Sequence, residues 1–150
     1  MTEIAFYHLT KSSLEQALPL LLGKTLDAGK RAVVLAGAKA RVEALNVSLW
    51  ADEASSWLPH GSAKDGNADL QPVWLTETQE NLNGAQFVFL TDGVECADLK
   101  AYERCFELFD GTSPEAVQTA RTHWKAYTDQ GFELTYWQQT DSGGWQKKDT

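Results

Sequence analysis

The chain has 150 residues, a formal net charge of −8 at pH 7, and 43% hydrophobic and 23% charged residues, the proportions of an ordinary soluble globule of one domain. Its acid surplus excludes a protein that grips nucleic acid broadly through the phosphates, which requires a basic surface. No apolar run approaches the roughly 20 residues that span a bilayer. The first residues run straight into a strand-like stretch with no signal-like basic and apolar regions, so the cytoplasm is the expected location.

Ile4 to Leu9 is a short apolar run that reads as a buried strand. Ser12 and Ser13 then offer a helix N-cap, and Gln16 stands three residues past Ser13 in capping-box position. Leu14, Ala17, Leu18, Leu21 and Leu22 keep helical spacing. Pro19 conflicts with a straight helix because it removes a backbone hydrogen bond. Either the helix bends there or it starts near Pro19, where proline suits the first helical position. Ala28-Gly29 closes it.

Ala32 to Ala36 is continuously apolar, as in a strand covered on both faces. Gly37 leads into a second helix carrying Val42, Leu45 and Leu49. From Ala51 to Pro72 the composition turns to Ser, Gly, Asn, Asp and Pro, which is loop material. Val73 to Thr76, Phe87 to Thr91 and Arg104 to Phe109 are further strand candidates. Thr112 and Ser113, followed by Pro114-Glu115, start a helix that runs to about Gln130 and stops at Gly131. Phe132 to Gln138 and Gly144 to Lys148 read as a terminal hairpin, or as a last strand with an ordered tail. Strand and helix alternate, so the expectation is a single three-layer α/β domain over residues 1–150, with a mostly parallel sheet flanked by helices.

Signals for catalysis are weak. Gly23-Lys24-Thr25 lacks the earlier glycine of a phosphate-binding loop, since Leu18 stands there, and it falls inside a helical pattern. The turn at Ala36-Gly37-Ala38 has one glycine where a dinucleotide fingerprint has three. His8, His60 and His123 are scattered over a strand, a loop and a helix, with no neighbouring ligand cluster or nucleophile. Asp92 and Glu95 follow a strand, where α/β active sites gather, but carboxylates in turns ordinarily serve the turn. Cys96 and Cys105 lack metal-binding spacing. Free thiols in a reducing cytosol are the expectation, with a disulfide between them as the alternative.

The informative segment is Ala120-Arg-Thr-His-Trp-Lys-Ala-Tyr127. Val117, Ala120, Trp124 and Tyr127 form one helix face against a core, while Arg121 and Lys125, four apart, align on a neighbouring ridge. Two readings are open. The two cations complement the negative end of the helix dipole, or they form an anion-receiving ridge beside an aromatic, suited to a peptide with an acidic or carboxylate end. Trp74 reads as core. Trp50 and Trp57 flank a polar loop and read either as loop anchors or as an interface, where tryptophan is enriched.

The run Arg121 to Tyr127, the opening Ile4-Ala-Phe-Tyr-His-Leu9, the segment Leu49-Trp50 to Trp57-Leu-Pro-His60, and the closing Leu134-Thr-Tyr-Trp137 with Gly-Gly-Trp145-Gln-Lys-Lys148 occur in this order. Together they resemble the chi subunit of bacterial DNA polymerase III over essentially the whole chain. The resemblance implies a non-catalytic replication adaptor without a cofactor. Such an adaptor links the clamp-loader assembly to single-stranded-DNA-binding protein by holding that protein's acidic, phenylalanine-ended tail. It implies a tail site at Arg121, Trp124, Lys125 and Phe132. It also implies a second interface at Trp50, Trp57, Pro59 and His60 for a psi subunit or another clamp-loader or helicase partner. His123 stands where family members often carry arginine, and a neutral imidazole there would make the site less basic. The contrasting expectation, from fold analogy, is an enzyme acting on a small or nucleotide ligand at the carboxyl ends of the parallel strands.

Overall fold

The central strands of this protein are short apolar runs buried end to end, covered by helices on both faces of the sheet. The computed structural model describes residues 2–51, 60–62, 66–142 and 144–148. In chain order the elements are β1 (Glu3–Leu9), α1 (Leu14–Asp27), β2 (Ala32–Leu35), α2 (Lys39–Ala51), β3 (Gly61–Ser62), β4 (Val73–Thr76), β5 (Phe87–Leu90), β6 (Arg104–Asp110), α3 (Pro114–Asp129), β7 (Glu133–Gln139) and β8 (Trp145–Lys148). The strands lie in the order β3-β4-β2-β5-β6-β1-β7-β8. Every neighbouring pair is parallel except β7 and β8, which form the antiparallel hairpin expected at the end of the chain.

Alternation along the strands sorts the core into two layers. Ala5, Tyr7, Val34, Phe89 and Phe106 face α1 and α2, which contribute Leu18, Leu21, Leu22, Val42, Leu45 and Leu49. Ile4, Phe6, Val33, Val88 and Cys105 face α3, with Ala120 and Tyr127 buried against them. Phe89 and Phe106 stack at 4.4 Å between ring centroids in the first layer. The architecture is therefore the expected three-layer α/β arrangement. Parallel neighbours need a crossover connection, and α3 supplies one between β6 and β7, which leaves β1 between those two strands.

Local chemistry explains the helix boundaries. The backbone N–H of Ser13 donates to Oε1 of Gln16 at 2.9 Å, one half of the capping box. The first helix begins at Leu14 and continues through Pro19 without restarting there, so of the two readings the start near proline is discarded. The chain leaves α1 through Gly29 at φ +76°, a left-handed conformation that glycine tolerates at a helix end.

The stretch expected as loop from Ala51 to Pro72 contains more order than its composition suggests. Gly61–Ser62 adds a two-residue strand beside β4, and Ala68–Leu70 makes one 3-10 turn. The signal was invisible because two residues with no apolar alternation carry no strand pattern. The opposite sheet edge, β8, presents Gln146, Lys147 and Lys148 to solvent, and charge on an edge strand discourages pairing with other chains. Trp74 is core, 2% exposed, with its indole N–H donating to Glu80 at 3.2 Å.

A candidate partner-binding ridge on α3

Helix α3 is fixed at its start by Ser113, whose hydroxyl accepts from the Ala116 N–H at 3.2 Å, and by Pro114 in the first turn. Gly131 ends it at φ +84°. Ala120 and Tyr127 are buried beneath it, and Val117 and Trp124 pack at the margin of the same layer. This is the face read from the spacing of its apolar residues.

Arg121 and Lys125 are exposed one turn apart on the outer side of α3, around a shallow hollow with Gln118, Thr122, Ala126 and Asp129. Among the described residues neither makes an ion pair. Trp124 borders the ridge, half-buried, with its ring edge-on to Phe6 at 5.1 Å and to Tyr136 at 5.9 Å. The two cations therefore flank an aromatic wall that continues onto β7. Tyr136 was not among the residues singled out from the sequence. Its place beside Trp124 follows from β7 pairing with β1, a long-range contact that no local pattern announces.

His123 does not belong to the ridge. Two residues past Arg121 is about 200° around the helix, and the imidazole turns inward, where only 6% of the residue is exposed. Its Nδ1 lies 2.8 Å from the carboxylate of Glu107, a residue of β6 that is itself 2% exposed. Its Nε2 faces Glu95 at 3.7 Å. The hydrogen bond to Glu107 raises the His123 pKa above its usual value against the effect of burial. Burial raises the Glu107 carboxyl, with His123 opposing. The expectation that a neutral His123 makes the ridge less basic therefore does not apply, because the imidazole turns inward beneath the helix against Glu107, with its pKa shifted upward. Whatever basicity the ridge has comes from Arg121 and Lys125.

Phe132, just past the end of α3, packs its ring edge-on to Tyr127 at 6.1 Å. It borders a second hollow with Cys96, Leu99 and Gln130, toward the C-terminal end of α3, and does not line the hollow beside Arg121 and Lys125. Of the second set of candidates, Trp50 falls in the last turn of α2, and His60 is buried, 3% exposed, next to β3. Trp57 and Pro59 lie outside the described residues. Cys96 and Cys105 are free thiols, as expected. Burial pushes the Cys105 thiol up to about 12, so it stays protonated.

A cleft of about 800 Å³ opens at the carboxyl ends of β1 and β6, the place where α/β folds commonly hold ligands. Three of its charged groups, Arg41, Glu15 and Asp92, are engaged with one another. Arg41 pairs with Glu15 at 3.3 Å and with Asp92 at 3.2 Å, and Asp92 also accepts the Gly37 N–H at 3.1 Å, so its carboxylate ties the turn after β5 to the turn after β2. In nucleotide-binding folds the turn after the first strand offers bare N–H groups to phosphate. Here Oε1 of Gln139 takes the N–H groups of Thr10, Lys11 and Ser12 at 3.2, 2.8 and 2.8 Å. Among the described residues no group of three or more His, Cys, Asp or Glu side chains is placed to hold a metal, and no helix is long and apolar enough to cross a membrane.

The fold is a three-layer, mostly parallel α/β domain that carries two exposed cations beside an aromatic side chain on one helix. Residues 1–135 match the family model described as DNA polymerase III chi subunit, HolC, and the chain belongs to that family. It is 26% identical over 110 residues, 71% of this chain and 67% of the relative, to the probable DNA polymerase III subunit chi of Rickettsia prowazekii (strain Madrid E). It is 25% identical over 123 residues, 82% of this chain and 84% of the relative, to DNA polymerase III subunit chi of Escherichia coli (strain K12). Membership places the chain among the polymerase III subunits that serve DNA replication.

Proposed function

We propose that this chain is a non-catalytic replication adaptor that binds the acidic C-terminal tail of single-stranded-DNA-binding protein and links it to the clamp-loader assembly. One observation carries the reading. Two exposed cations without ion-pair partners among the described residues, Arg121 and Lys125, stand one turn apart beside the half-buried Trp124. Guanidinium and ammonium groups make charge-assisted hydrogen bonds to carboxylates. The aromatic edge formed by Trp124 and Tyr136 offers an apolar contact to the tail's last side chain. On a body of net charge −8, such a ridge favours acidic segments that match it and leaves others repelled.

In this reading the clamp-loader partner, a psi subunit or another protein, is held elsewhere, at the Trp50 to His60 segment. The enzymatic alternative loses support from the paired charges of the carboxyl-end cleft and from Gln139 in the first turn. The test is fluorescence anisotropy with a labelled tail peptide against the parent chain, Arg121→Ala, Lys125→Ala and the double variant. If all four bind alike, the ridge only complements the helix dipole.

A further inference from the structure

His8 lies outside the residues assigned to the ridge, yet its ring stands at the same place on the surface. It sits near the carboxyl end of β1, half-buried, against Phe109 at 5.0 Å between ring centroids. Its Nδ1 is 2.6 Å from the hydroxyl of Tyr136 on the adjacent strand. The Nε2 side of the ring faces Gly111, whose backbone favours the charged ring. Tyr136 in turn meets Trp124, and Arg121 on α3 is close enough that its charge acts on both His8 and Tyr136. Asp110, at the end of β6, is the opposing charge near His8.

We propose that His8 and Tyr136 form the polar end of the tail-binding site beside Arg121, and that the pair becomes a carboxylate receiver when His8 takes up a proton. The inference rests on the tail-binding reading above. In the tautomer that carries its hydrogen on Nε2, toward Gly111, a neutral His8 accepts the Tyr136 hydroxyl hydrogen at Nδ1. A proton taken from solvent at Nδ1 turns that nitrogen into a donor. The tyrosyl oxygen then accepts, and its own hydrogen is released to turn outward toward a carboxylate oxygen. The site gains one charge and one oriented donor from a single proton.

The direction of the pH effect follows from what surrounds the ring. Burial first, and then the Arg121 charge, lower the His8 pKa below its usual 6.5, against the Gly111 hydrogen bond and Asp110. The ring is therefore neutral at pH 7 and charges on the acid side of the ordinary histidine range. A bound carboxylate favours the charged ring, so by linkage the His8 pKa rises when the tail is bound.

The experiment is an anisotropy titration with a labelled acidic peptide ending in phenylalanine with a free carboxylate. It is run at fixed ionic strength between about pH 7.5 and about pH 5.5, a window in which histidine titrates and the peptide's carboxylates do not. The parent chain should bind about two- to fivefold more tightly at the acid end, the contribution of one partly exposed ion pair. His8→Gln, which keeps hydrogen-bonding capacity but takes no proton, should show no such gain. Tyr136→Phe should lose it as well. In the parent chain the His8 ring signals, followed by NMR, should titrate at higher pH with peptide than without. The same acid gain in His8→Gln, or a His8 titration unmoved by peptide, overturns the proposal and leaves the tail-binding reading standing. No binding at any pH overturns both.

Discussion

Glu107, in the middle of β6, and His123, on α3, meet at 2.8 Å with 2% and 6% of their surfaces exposed. The pair ties the helix that carries the ridge to the sheet beneath it. A buried pair of this kind is costly to break on one side, because the remaining charge is left without a partner. His123→Ala is expected to lose about 3–5 kcal/mol of stability, measured by urea denaturation.

The same pair sets a pH dependence. The folded-state pKa of His123 is raised by Glu107, and that of Glu107 by burial. A raised histidine contributes stability that is complete below its unfolded value of 6.5 and is lost as pH rises through the folded value. Thermal melting of the parent chain should therefore fall as pH climbs through that window. The double variant Glu107→Gln/His123→Gln should no longer show this fall.

Gly111 is needed for close approach. A Cβ there would collide with the His8 ring and stand 2.7 Å from the Leu9 carbonyl oxygen. Gly111→Ala should cost about 1–3 kcal/mol, the usual range for overpacking. It should also displace His8 from Tyr136, which NMR of the His8 ring would register directly.

Tail binding through Arg121 and Lys125 should weaken as salt rises, because exposed charges are screened over about 8 Å at physiological ionic strength. Removal of one cation should cost about 1–3 kcal/mol of binding if it makes a charged hydrogen bond. The double variant should lose most of the salt dependence along with the affinity. Anisotropy titrations at several salt concentrations measure both.

Trp50→Ala and Trp57→Ala are expected to leave tail binding intact and to weaken a second protein contact. Retrieval of clamp-loader subunits from cell extract by the parent chain, and less by the variants, would support this. If both variants unfold at room temperature, with the roughly 3–5 kcal/mol loss typical of a deleted buried aromatic, these tryptophans belong to the core.

The elements were legible because their signals are local. Ala32 to Leu35 and Phe87 to Leu90 are apolar without interruption and form strands covered on both faces. Ser13 with Gln16, and Ser113 with Pro114, announce helices that start where those residues stand. The outward position of Arg121 and Lys125 followed from a four-residue spacing and from the apolar stripe beside them.

What tertiary structure alone decided lies between segments far apart in the chain. Helical spacing says which residues share a face, but the place of His123 between faces is settled by an acceptor, Glu107, brought up by β6. Tyr136 stands beside Trp124, and against His8 across 128 positions of sequence, because β7 returns to pair with β1. Gln139 fills the turn after β1 for the same reason. A hydrogen-bonding side chain can serve whatever partner lies within about 3 Å. Residue type therefore states only what a polar group is able to do, and the packing of the sheet determines which partner it meets.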